Sequence, residues 1–241
     1  MKPVADSSIL AAALIVSLVW LSPVRALADE LPADTNQIES LTPEQATALA
    51  GSTAGWVRLP NLTTLDADIA KTLAEFKGRY LYLDGLTTLD ADAAKALADF
   101  KGQLLSLNGL TTLDADIAKT LAGSTAWDGR VPKLTTLDID IAKTLAALDK
   151  WDGNLSSITA FESPDSVEIA AALATRKGPL SLPKLKKISP KTLTALIEKE
   201  DVKIPLIETL ELIQEPDGSP TEDFIIPTGF ETRQKARQQG R

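Results

Sequence analysis

The groups able to do chemistry in this chain are carboxylates and amines, because the sequence holds no histidine and no cysteine. Without His, the commonest general base near neutral pH and the commonest nitrogen ligand for metals are both missing. Without Cys, disulfides, thiolate metal centres and thiol nucleophiles are excluded. Among the carboxylates an Asp-x-Asp pair is written four times, as Asp66/Asp68, Asp90/Asp92, Asp114/Asp116 and Asp138/Asp140. Stacked carboxylates offer two chemistries: oxygen ligation of calcium, or a flanking pair that hydrolyses a glycosidic bond. The copying argues against both, since a catalytic pair belongs in one place. Equivalent positions elsewhere read Thr42-Pro43-Glu44, Ser163-Pro164-Asp165 and Ser189-Pro190. Ser or Thr followed by Pro marks a helix start. Asp66, Asp90, Asp114 and Asp138 are therefore expected to cap helices, with the second Asp of each pair in the first turn, where a negative charge suits the helix dipole. On this basis no catalytic residue, metal ligand or cofactor is assigned, and the chain is expected not to be an enzyme.

The elements that carry these residues repeat. Leu62, Leu86, Leu110 and Leu134 each open a near-identical Leu-Thr-Thr-Leu-Asp stretch, 24 residues apart. A weaker copy starts at Ile38, and later ones at Ile158, Leu185 and Ile207. A fixed period of this length is the mark of a solenoid. Within a period, Leu81-Tyr82-Leu83 and Leu105-Ser106-Leu107 alternate as short strands. Ile69, Ala70, Leu73 and Phe76 follow at helical spacing, opposite Asp68, Lys71, Thr72 and Glu75. The fold class expected is α/β: a single curved solenoid of βα repeats, with parallel strands on one face and helices on the other. Strands pack about 4.8 Å apart and helices about 8–10 Å apart, which bends such a stack. Small alanines at 70, 74, 94, 98, 118 and 122 should flatten the bend.

The pattern Leu81-x-Leu83-x-x-Leu86-x-x-Leu89, followed by Ala94-x-x-Leu97-Ala98, resembles leucine-rich repeats, in particular the Leu- and Ala-rich variants of exported bacterial proteins. The resemblance spans about residues 38–213. It implies a βα solenoid that binds a ligand through its strand face. It departs from the family where Leu86 and Leu110 stand in place of the usual turn Asn, so the turn is expected to differ in shape.

Adding whole periods places Arg58, Tyr82, Ser106, Arg130, Asn154, Ser181 and Lys203 in one outward row, flanked by Trp56, Tyr80, Asp84, Leu104, Asn108, Asp128 and Asp152. The inward framework is nearly constant while this row varies, as a recognition surface would; drift at exposed sites after duplication gives the same pattern. The ligand-binding candidates are Trp56, Arg58, Tyr80, Tyr82, Ser106 and Arg130, because aromatics with Arg dominate contact energies. Trp127 and Trp151, one period apart, are expected to pack inside. Asn61-Leu62-Thr63 and Asn154-Leu155-Ser156 match a glycosylation pattern.

Residues 1–28 read as a signal peptide, with Lys2, an apolar run over 9–21 and a small-x-small site at Ala26-Leu27-Ala28. The run is shorter than the roughly 20 residues of a membrane span, so no span is expected in the mature chain. Removing Lys2, Arg25 and Asp6 with that segment moves the net charge from −8 to −9. An acidic chain is a poor partner for nucleic acid. The expected organisation is a signal peptide at 1–28, a leucine-rich-repeat-like solenoid with its N-terminal cap at 29–213, and a polar, flexible tail at 214–241. The expected role is an exported, secreted, periplasmic or cell-surface binding module for an extracellular or envelope protein or polysaccharide. The competing role is a self-associating structural repeat protein of the cell envelope.

Overall fold

The computed structural model describes residues 35–220, together with 229, 230, 232 and 236. The expected signal peptide at 1–28 lies outside the described residues. The chain is mixed α/β, and among the described residues the strands pair in parallel without closing a barrel. The helices are α1 (Pro43–Ala50), α2 (Ala67–Ala74), α3 (Ala91–Ala98), α4 (Ala115–Ala122), α5 (Ile139–Ala147), α6 (Ser166–Ala174) and α7 (Pro190–Ile197). The strands are β1 (Trp56–Arg58), β2 (Tyr80–Tyr82), β3 (Leu104–Ser106), β4 (Leu180–Ser181), β5 (Lys187–Ile188), β6 (Val202–Lys203) and β7 (Glu211–Leu212).

Helices of two turns are marginal alone, so caps and packing must hold them. Asp66 accepts from the Ile69 amide at 2.8 Å, Asp90 from Ala93 at 2.7 Å and Asp138 from Ile141 at 2.7 Å. Asp114 caps one residue earlier, on the Asp116 amide. Thr42 and Gln45 form a reciprocal capping box. The aspartate ladder is therefore a ladder of helix caps. One start is corrected: Ser163 does not cap α6, because its carbonyl takes the Ser166 amide in a tight turn and the helix begins at Ser166. Phe76 also falls past the end of α2, whose C-cap is Glu75. It packs instead on Phe100, with ring centroids 6.4 Å apart.

From α1 to α7 each helix packs on the next. Ala70, Ala94, Ala118 and Ala142 are fully buried along that seam, where a larger side chain would force neighbouring helices apart. β1, β2 and β3 form one sheet in which each strand is displaced 24 residues from the last, pairing Val57 with Leu81 and Leu81 with Leu105. After each strand the backbone closes its own turn: the Leu86 amide donates to the Leu83 carbonyl and the Leu110 amide to Leu107, both at 3.2 Å. No side-chain amide is needed there, so Leu86 and Leu110 bury completely. Beyond the turn, Thr111 and Thr135 each donate an amide and a hydroxyl to the threonine carbonyl 24 residues earlier.

The sheet stops after β3. Leu105 pairs with Trp127, two residues short of a full period, in an isolated bridge. A two-residue slip keeps the pleat in phase, so the side chain opposite Leu105 still points inward. Pairing resumes between Asn154 and Ser181 and between β4 and β6, while Ala160, β5 and β7 form a second parallel set. In the stretch from Gln214, expected as a polar tail, two described residues pack on the rest of the chain. Glu215 is buried and accepts from the Lys191 amide at 3.0 Å, and Phe230 joins the core. No helix among the described residues is long and apolar enough to cross a membrane.

Candidate functional site

The parallel register of β1 and β2 sets Trp56 beside Tyr80 and Arg58 beside Tyr82. Val57 and Leu81, between them, point into the core and anchor the strands. Trp56 is 58% exposed, unusually open for its type. Tyr80 and Tyr82 are half-buried, with ring centroids 6.3 Å apart and planes 25° from parallel. Leu104 continues the Trp56–Tyr80 row onto β3. Four of the six candidates therefore meet in one aromatic and cationic patch.

The other two do not behave as expected. Ser106 is aligned with Tyr82 but only 4% exposed. Its hydroxyl donates to Asp84 at 2.5 Å and accepts from the Asn108 amide group at 2.8 Å. Asp84 also accepts from the Asn108 backbone at 3.0 Å. Ser106 is a buried brace under the face rather than a contact residue. Arg130 is exposed but stands on no strand, because the two-residue slip at Trp127 replaces the fourth strand with a corner. In that corner Asp128 accepts from the Arg130 amide at 3.1 Å, and Gly129 takes a left-handed φ of 78° that a side chain would resist. Asp152, Gly153 and Asn154 repeat the device at 3.0 Å, with φ 75°.

Trp127 and Trp151 open these corners and are each 1% exposed, so both are packing residues. The Arg176 guanidinium lies 5.1 Å from the Trp151 ring centroid and donates to the carbonyls of Trp151 and Pro179. On the strand side, Arg130 is held between Asp128 at 3.5 Å and Asp152 at 3.3 Å. Asn108, Arg130, Val131, Pro132, Asp152 and Asn154 line a depression of about 240 Å³. Counting periods missed this polar depression. The available signal was the Trp-Asp-Gly written at 127–129 and again at 151–153, where the earlier copies alternate as strands.

On the helix side, Lys119 lies 3.9 Å from Asp116 and 3.7 Å from Asp140 of the next helix, with all three well exposed. Exposed pairs of this kind add little stability. Among the described residues, no group of three or more Asp or Glu side chains is placed to hold a metal ion. The chain matches no protein-family model, no curated protein and no solved structure.

Proposed function

We propose that residues 29–213 form one curved βα solenoid of the leucine-rich-repeat type, and that it is an exported, non-catalytic recognition module. The strand face contacts an extracellular or envelope protein or polysaccharide. The observation that carries this reading is the in-register pairing of β1 and β2, which gathers Trp56, Arg58, Tyr80 and Tyr82 on one exposed surface. Aromatic and Arg side chains on a fixed frame lose little ordering entropy on binding. In each Asp-x-Asp pair that could have served hydrolysis, the first carboxylate (Asp66, Asp90, Asp114 or Asp138) is engaged as a helix cap.

A pull-down from envelope and extracellular material tests the reading. Arg58→Ala and Tyr82→Ala should each weaken capture by about 1 kcal/mol or more, while Lys71→Ala and Lys95→Ala on the helix side leave it unchanged. The opposite pattern would move the site to the helices. One observation favours the self-associating alternative: the two large apolar side chains most exposed among the described residues are Trp56, on the first strand, and Leu212, on the last. Joining such ends between copies builds open filaments. Sedimentation that grows with concentration, and is abolished by Leu212→Glu, would select that alternative.

A further inference from the structure

We infer that the ligand of the strand face is a neutral glycan, held by the β1–β2 aromatics and by the polar depression around Arg130. This inference rests on the recognition reading above and gives its ligand a chemistry. The first argument is charge. Arg130 is already neutralised between Asp128 and Asp152, and Asp84 is occupied by Ser106 and Asn108. A polyanion needs a run of uncommitted cations, and a basic partner needs uncommitted carboxylates. The strip from Trp56 to Asn154 offers neither run. It matches a ligand with no net charge and many groups that both donate and accept.

The second argument is the break in the ladder. Leu59, Leu83, Leu155 and Leu182 each donate their amide to a carbonyl of the next turn. Among the described residues, Leu107 and Val131 make no such bond, although both side chains are buried. The depression lies at that break, between Asn108 and Val131. Backbone groups released from pairing need other hydrogen-bond partners, and sugar hydroxyls can act as either donor or acceptor. Asn108, which donates to Ser106, and Asn154, which accepts from Ser156, each keep further side-chain amide capacity at the depression for a sugar hydroxyl.

The third argument is the aromatic end. A pyranose has an apolar C–H face, and Trp56, Tyr80 and Tyr82 offer aromatic side chains on two adjacent strands to meet it. Turns about 4.8 Å apart put Trp56 and Asn154 on the order of 20 Å from each other, the reach of a short oligosaccharide lying along the stack.

The test is an array of neutral α- and β-glycans beside polygalacturonate, probed with the full chain and followed by affinity electrophoresis in the best neutral glycan. The expected result is retention by at least one neutral glycan. Tyr82→Ala and Asn154→Ala should each weaken it by about ten-fold with an unchanged circular-dichroism melt, and Lys95→Ala should not weaken it. Binding to polygalacturonate alone, or to no glycan, overturns the inference. So does neutral retention that both Tyr82→Ala and Asn154→Ala leave intact. A protein partner whose capture is lost in Arg58→Ala and Tyr82→Ala, with no glycan bound, would sink the glycan and keep the strand-face reading. Glycan retention lost only in Lys95→Ala would sink that reading as well.

Discussion

Residues 56–106 and residues 127–155 are written with near-identical helix sequences and fold their strand-side segments differently. The first region keeps a strict 24-residue displacement and makes a three-stranded ladder. The second keeps the period in its helices but bends through two Trp-Asp-Gly corners. The difference lies in where bulk enters the core. Phe76 and Phe100 fill the space just past α2 and α3, whereas the equivalent residue after α4 is Ser124. Trp127, three residues on, is 1% exposed, and its bridge to Leu105 comes two residues short of a full period. The large buried ring thus sits at the corner rather than at the helix end, where the backbone turns and a polar depression opens. The comparison teaches that a repeat can hold its helical seam while its strand face diversifies.

The sharpest way to break this comparison is to make one substitution in both regions. Trp127→Ala should cost about 3–5 kcal/mol by denaturant unfolding, because it empties a filled core site. Trp56→Ala should change stability by no more than about 0.5 kcal/mol. Equal costs would mean that Trp127 does not fill a core site.

Next in size are the corner glycines. A Cβ on Gly153 would sit 2.0 Å from the Pro179 carbonyl oxygen, on top of the left-handed backbone penalty. Gly153→Ala should therefore lose about 2–4 kcal/mol. At Gly129 the nearest atoms are 3.1 Å away, on Leu148 and Trp151, and Gly129→Ala should lose about 1–2 kcal/mol. Reversal of that order in thermal or urea midpoints would discredit the packing around the second corner.

The helix caps, shared by both regions, should give smaller effects. Asp90→Ala should cost about 1 kcal/mol, and Asp90→Ser should restore most of it. Asp165 makes no side-chain cap bond at α6, so Asp165→Ala should change stability by less than about 0.5 kcal/mol. A calcium-dependent rise in the melting midpoint, lost in Asp90→Ser, would contradict the capping role.

The smallest effect belongs to a third Asp-Gly corner, near the C-terminal end. Asp217 accepts from the Ser219 amide at 2.8 Å beside Gly218, whose φ is 75°. Hydrogen bonds from the Ser219 side chain and backbone hold the Asp217 carboxyl below the usual carboxylate range. Its contribution is present above the ordinary carboxylate pKa and fades as pH falls through the lowered value. An NMR titration should show the lowered midpoint, and Ser219→Ala should raise it toward normal. An unchanged midpoint in that variant would remove Ser219 as the cause.

The sequence by itself determined the parts that depend on neighbours along the chain. Asp66, Asp90, Asp114 and Asp138, each followed at once by a helix-forming run, become caps, and Leu and Ala at fixed spacing share one buried seam. The inward Trp127 and Trp151 belong here too, standing one period apart just before their strand-side segments, where packing residues were expected. Tertiary structure decided what depends on residues a period or more away along the chain. Asp84-Gly85 and Asp128-Gly129 are the same dipeptide, yet only Gly129 is left-handed. Ser106 and Tyr82 share one register row, yet Asp84 and Asn108 bind the serine hydroxyl beneath the face. Arg130 stands at a corner rather than on a strand because Leu105 pairs with Trp127 two residues short of a period, and register is set by pairing with the neighbouring segment, which periodicity along the chain does not encode.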